Sequence, residues 1–271
     1  MAPVLCYHRI GGALELGVTR VGRSVFERQM RALAIAGWRT LPLRGFAQRI
    51  DTVGARHAVP PRHADPPQEF LLTFDDGYAS LAEHAYPVLA DLGFTATTFL
   101  ITDYIGQANT WDVRYTWRRL RHLDWPAIER WTERGFDFAS HGAAHRRLTW
   151  LDDVAAADEL ARSREALVGR LGAVAGHAIA YPFGAVDKRV ERLAAAAGYG
   201  LGFGGVRGDS GSPLHLPRVP VYMWDVGATP LGLRTDALGA AGRFVAHVAN
   251  RCAVGTSIMR GVGYRVSGAG G

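Results

Sequence analysis

The stretch FLLTFDDG, Phe70 to Gly77, runs five apolar or β-branched residues straight into two carboxylates and a glycine. An apolar run this short reads as a strand buried on both faces, and glycine permits a sharp turn directly behind the carboxylates. The same order returns along the chain. His8 follows an apolar run at Pro3 to Tyr7, and His141 to His145 follow one at Phe136 to Ala139. Pro182 and Phe183 come after a run at Ala178 to Tyr181, and Trp224 and Asp225 after one near Arg218 to Met223. Further strands are expected at Trp38 to Leu41 and Thr95 to Ile101, with amphipathic stretches between the runs. This alternation is the pattern of an α/β protein with a largely parallel sheet. With no dividing linker and no repeat of fixed period, one α/β barrel of incomplete or distorted type is expected over residues 1–271. In such a barrel the polar clusters behind the strands meet at the C-terminal face, where active sites are built.

Helix boundaries follow from local chemistry. Ser24 with Glu27 reads as a capping box for a helix to about Ala36, stopped by Gly37. A short helix is expected near Gly45 to Ile50, and a continuous one from Ser80 to Leu92. Asp124 caps a helix with Pro126 in its first turn. Thr149 is the expected cap of a helix from about Leu151 to Leu171, and another runs near Lys188 to Ala197. Residues 51–68, with four prolines, read as a surface loop. Residues 226–271 are read as a C-terminal helix, Thr235 to Arg251, and a frayed tail.

Composition limits the functions open to the chain. At 271 residues, 48% hydrophobic and 21% charged, it can bury about three quarters of its unfolded surface, so disorder is not the default. Cys6 and Cys252 have no metal-type or disulfide-framework spacing. No basic leader with an apolar core opens the sequence and no long apolar span interrupts it, which points to a cytoplasmic protein without a transmembrane segment. The net charge is +6, and Lys188 is the one lysine among 31 basic residues. The run WRRLRH, Trp117 to His122, could grip an acidic ligand or form a solvated face. No nucleic-acid signature accompanies it.

Asp75 and Asp76 carry the chemistry of the first motif. Neighbours on an extended chain point oppositely, so the turn decides which carboxylate meets a metal and which meets substrate. Alone, DDG is a common turn. In SHGAAH, Ser140 to His145, the two histidines have the i, i+4 spacing that sets two imidazoles on one face of a helical turn, with small residues between them. Two imidazoles and one carboxylate leave positions open at a divalent ion, as a catalytic site requires, and the second carboxylate is free to act as general base toward water. The combination points to amide or ester hydrolysis without a covalent intermediate.

TFDDG, SHGAAH and then YPFG at Tyr181 to Gly184 together resemble the polysaccharide deacetylase family with its NodB-homology domain, over about Pro3 to Asp225. The resemblance implies a distorted (β/α)7 barrel that removes acetyl groups from carbohydrates. It casts Asp75 as catalytic base and Asp76, His141 and His145 as ligands of one divalent ion, zinc first, with cobalt or nickel possible. The family's third motif usually reads R-x-P-Y, and here Ala180 stands where the arginine would be. Phe183 can still offer its backbone N–H to an oxyanion beside Tyr181 and Pro182. Arg218 in LPRVP is the candidate replacement for the guanidinium, an ordinary surface arginine being the alternative. The late L-x-H motif that supplies the acid is absent, while the opening VLCYHRI resembles the branch with an early YH motif. That makes His8 the expected acid, with His215 in reserve. The resemblance implies that Trp224 and Asp225 stand in for the family's aspartate–tryptophan pair, in reversed order. No role is assigned to His57, His63, His84, His122, His177 or His247.

The expected partner is therefore an N-acetylated carbohydrate, free, polymeric or part of a glycolipid precursor. Competing readings are a same-fold hydrolase of a linear or cyclic amide and a catalytically silent sugar-binding member. The intact Asp75, Asp76, His141 and His145 argue against the last.

Overall fold

The strands are short, two to six residues each, and β1, β5, β6, β7, β8 and β9 are buried almost throughout, so these must be covered on both faces. In chain order the elements are β1 (Val4–Tyr7), β2 (Arg9–Ile10), β3 (Arg20–Val21), α1 (Arg23–Ile35), β4 (Arg39–Thr40), α2 (Leu43–Ala55) and β5 (Glu69–Phe74). There follow α3 (Ser80–His84), α4 (Tyr86–Asp91), β6 (Thr97–Leu100), α5 (Trp125–Glu133), β7 (Asp137–Ser140) and α6 (Asp153–Leu171). The last are β8 (Ala178–Ala180), α7 (Lys188–Ala196), β9 (Leu201–Phe203) and β10 (Val219–Pro220). The computed structural model describes residues 1–12, 18–55, 68–110, 120–206, 208, 211–234, 236, 238–242 and 244–245. Most of the expected loop at 51–68, and the greater part of the expected C-terminal helix and tail, lie outside the described residues.

The main sheet is parallel throughout, in the order β10-β1-β5-β6-β7-β8-β9, with β4 paired to the start of β5. The first and last strands are neighbours, Leu5 lying opposite Val219. Just ahead of β10, Leu216 N–H donates to Gly202 O at 2.7 Å and Arg218 N–H to Gly205 O at 2.9 Å. These bonds carry the sheet from β9 round to β10, and the result is the distorted (β/α)7 barrel. A second, two-stranded sheet joins β2 to β3 beside the barrel.

Side-chain alternation sorts the core. On β5, Leu71 joins Val4, Phe99 and Phe203 in the interior cluster, while Phe70, Leu72 and Phe74 pack with Phe26, Tyr86 and Trp131 of the helix layer. Continuing that alternation, Thr73 and Asp75 follow Leu71 toward the interior. Cys6, opposite Thr73 on β1, is on the same side. Burying each large apolar side chain contributes roughly 1.5–3 kcal/mol. Among the described residues no helix is long and apolar enough to cross a membrane.

Several local expectations are corrected. The helix expected over Ser80 to Leu92 is broken at Ala85, because Pro87 has no N–H to give the preceding turn and its ring crowds the carbonyl four residues back. The Ser24 capping box does not form; α1 begins two residues earlier, at Arg23 behind Gly22, with no side-chain cap. Asp152, not Thr149, caps α6, accepting from Ala155 N–H. The expected strand at Arg218 to Met223 shrinks to Val219–Pro220. Asp124 caps α5 as expected, accepting from Ala127 N–H at 3.0 Å.

Candidate active site

At the C-terminal ends of β1, β5 and β7 the structure gathers His8, Asp75, Asp76, His141 and His145. The chain turns sharply after Phe74, with Asp76 at φ 68° and Gly77 at φ 68°. A side chain at position 77 would meet Leu100 Cδ2 at 2.5 Å, so the turn needs glycine for space as well as for conformation. Asp76 pays for its left-handed backbone, a conformation that aspartate tolerates better than most residues. The turn brings both carboxylates inward: Asp76 Oδ1 lies 3.5 Å from His141 Nε2 and 3.6 Å from His145 Nε2, and Asp75 Oδ2 is 3.9 Å from His141 Nε2.

His141 and His145 do not share a helical turn, contrary to the expectation from their spacing. Residues 141–147 form a loop in which Gly142 (φ 79°) and His145 (φ 56°) are both left-handed, and this reverses the chain so that the imidazoles face each other with centroids 4.9 Å apart. Glu159 of α6 holds the loop from behind, its Oε1 accepting from Ala144 N–H at 2.7 Å and Arg146 N–H at 3.3 Å. Burial raises the Glu159 carboxyl above its ordinary range, against the pull of those two donors. Sequence reasoning missed Glu159, which carries no motif and reaches the site only through backbone amides.

Arg218, the candidate for the guanidinium that position 180 lacks, reaches Asp75. Its Nη1 and Nη2 donate to Asp75 Oδ1 and Oδ2 at 2.6 and 2.8 Å, and both side chains are about 5% exposed. Burial alone would push the Asp75 carboxyl up; Arg218, assisted by His141 and His8, outweighs it and holds Asp75 far below the usual carboxylate range. Burial likewise opposes ionisation of Asp76, but His141 and His145 win and lower it. His141 is raised despite burial, because it faces both carboxylates.

The donor set fits a divalent metal. Ligand atoms of Asp76, His141 and His145 all lie within 4.8 Å of one another. The 3.5 and 3.6 Å separations are close to the edge of a tetrahedron with bonds of about 2.0–2.1 Å, which is about 3.3 Å. His141 Nδ1–H donates to Ala180 O at 2.7 Å, which fixes the tautomer and leaves Nε2 as the ligating atom.

His8 lies with Cys6 and Asp75, their donor atoms within 4.8 Å of one another, and among the described residues its buried Nδ1 has no hydrogen-bond partner. Cys6 was not singled out, although its alternation with His8 would have placed it here; burial holds its thiol protonated. Phe183 also has a left-handed backbone, φ 61°, in the turn after β8, and its ring sits 4.7 Å from His145. Pro182 packs beside Gly142.

Other expected site residues are not gathered here. Tyr181 points to the helix layer with its hydroxyl on Leu214 O at 2.9 Å, as strand alternation from Ala180 requires. His215 faces Glu191 of α7 at 3.4 Å. The Asp225 carboxylate accepts from Leu231 N–H, while its carbonyl accepts from Gln29 of α1, so it is committed to the helix layer. Trp224 is 40% exposed and stacks near Tyr222. One neglected histidine does belong to the site: His122 contacts the Asp76 carbonyl through Nδ1 at 2.8 Å.

Comparison with known proteins identifies the family and the fold. Residues 62–202 match the family model described as polysaccharide deacetylase. A Bacillus subtilis (strain 168) protein, YxkH, which is named for the same family, is 28% identical over 224 residues, covering 80% of this chain and 71% of its own. Among solved structures, the Streptococcus pyogenes deacetylase PplD, determined in complex with acetate, superposes with a TM-score of 0.69 at 21% identity over 86% of this chain and 96% of that one. IcaB from Ammonifex degensii gives 0.63 at 21% identity, covering 90% and 97%. With over half its length matched by the family model, the chain belongs to the polysaccharide deacetylase family.

Proposed function

We propose that the protein is a metal-dependent hydrolase that removes the acetyl group from an N-acetylated sugar. The observation that carries this reading is the division of labour between adjacent carboxylates: Asp75 is gripped by Arg218, while Asp76 faces His141 and His145. Asp76, His141 and His145 would hold one divalent ion, zinc by preference. When bound, such an ion supplies Lewis acidity toward the acetyl carbonyl and makes water easier to deprotonate.

The remaining work falls to the chain's own residues. Arg218 keeps Asp75 ionised and fixes the plane of its carboxylate, so Asp75 stands ready to take the proton of the attacking water. The Phe183 N–H, in the turn after β8, would offer a donor to the oxygen that gains charge as the carbonyl becomes tetrahedral. His8, on the β1 side of Asp75, gives a proton to the departing sugar amine; amide hydrolysis needs such an acid because a neutral amine leaves far more readily than its anion.

The test is acetate release from an N-acetylglucosamine oligomer. Activity should vanish on chelation and return with zinc or cobalt. Asp75→Asn should keep the metal and lose roughly 10²- to 10⁴-fold in rate. Release of ammonia instead of acetate, full turnover after exhaustive chelation, or loss of metal on Asp75→Asn would overturn the reading.

A further inference from the structure

We propose that His122 is a positioning residue for Asp76: its ring N–H holds the Asp76 carbonyl, and with it the strained turn that aims the Asp76 carboxylate at His141 and His145. The inference rests on the reading of Asp76 as a metal ligand.

A carbonyl oxygen can only accept, so the 2.8 Å contact fixes His122 Nδ1 as the donor. The ring has little freedom to leave. It is 4% exposed, stacked on Tyr78 at 5.2 Å and 18°, and flanked by Tyr104 at 5.7 Å. Its backbone is fastened as well, His122 N–H donating to Gln107 O at 2.9 Å. The surrounding chain, residues 120–123, lies across the DDG turn: Leu123 N–H donates to Gly77 O at 2.8 Å and Ala79 N–H to Arg121 O at 2.8 Å. Backbone bonds therefore pin Gly77 and Ala79, while the His122 side chain pins Asp76 itself.

Asp76 is the residue that needs it. A non-glycine residue at φ 68° is strained relative to right-handed backbone, even if aspartate tolerates it better than most. Rotation about the Asp76 N–Cα bond would relieve that strain, and it would swing the carboxylate away from the two imidazoles together with the peptide that follows Asp76. A hydrogen bond to the carbonyl of that peptide opposes the rotation directly. The contact comes from a segment 46 positions away in sequence, at the end of the WRRLRH run.

The experiment compares His122→Phe, which keeps a ring and loses the donor, with His122→Asn, whose amide nitrogen stands where Nδ1 stood. His122→Leu is the donor-free match to Asn in size. The readouts are zinc affinity by competition with a chromophoric chelator, the thermal midpoint of the metal-free protein, and kcat and KM on an aryl acetate. Phe and Leu should weaken zinc binding about 10- to 100-fold, and Asn should recover most of it, with KM little changed. Parent-like zinc affinity in both Phe and Leu, or an Asn variant no better than Leu, would overturn the proposal. If Phe fails to fold, the Asn and Leu pair still isolates the donor. His141→Ala is the control: if it too leaves zinc binding intact, the metal-site reading has failed, whereas loss in His141→Ala with none in the His122 variants refutes the His122 role alone.

Discussion

Replacing Arg218 with methionine removes one half of an ion pair whose members are each about 5% exposed and joined by two bonds of 2.6 and 2.8 Å. Two unit charges about 4 Å apart attract by roughly 4 kcal/mol at an effective dielectric constant of about 20. Stranding one buried partner typically costs about 3–5 kcal/mol, so the two arguments agree. At about 2–4 °C per kcal/mol for a chain of this size, the thermal midpoint should fall by roughly 6–20 °C. The rate should fall further than stability explains, by roughly 10²- to 10⁴-fold, since Asp75 loses both its charge partner and its fixed plane. Arg218→Lys keeps the charge without the fork and should be intermediate in both. Because Ala180 occupies the place of the family's usual arginine, Ala180→Arg in the Arg218→Met background should restore part of the lost rate. Calorimetry and acetate release measured on all four proteins decide the matter. A midpoint within 2 °C of the parent together with unimpaired turnover in Arg218→Met would refute the reasoning.

Two further outcomes are expected. His8→Ala should leave metal content and fold unchanged and slow N-acetyl substrates much more than activated aryl acetates, whose leaving groups need no proton; equal slowing of both would remove His8 from the acid role. Gly77→Ala places a Cβ 2.5 Å from Leu100 Cδ2 at φ 68° and should cost about 1–3 kcal/mol in chemical denaturation, an unchanged midpoint counting against strain in this turn.

The barrel was legible because its signal is local and repeated. Five or so apolar residues followed by a polar one, as at Phe70 to Asp75, state where a strand ends and which end carries chemistry. Arg218 could be named because a motif arginine was missing and a buried carboxylate cannot do without a cation. What escaped depends on backbone conformation. The spacing of His141 and His145 suggests a helical turn, and only the left-handed pair Gly142 and His145 reveals a loop. Ser24 and Thr149 are sound caps by residue type, yet Gly22 and Asp152 stand where the helices begin. Tyr181 shares a motif with Phe183 but faces the other way: alternation from Ala180 turns Tyr181 to the helix layer, while the left-handed turn at Phe183 brings that ring against His145. His122 and Glu159 act on the site through main-chain atoms, which leave no mark on residue type.

The partner of Asp75 arrives very late in the chain. Arg218 lies 143 positions beyond Asp75, immediately ahead of the strand that pairs with β1 and completes the ring. A nascent chain in which the DDG turn and both histidines were already in place would still hold the Asp75 carboxylate without its counter-charge. On the proposed reading of Asp75 as the base, competence for catalysis waits on the last strand docking onto the first, and turnover would then report completed assembly of the barrel.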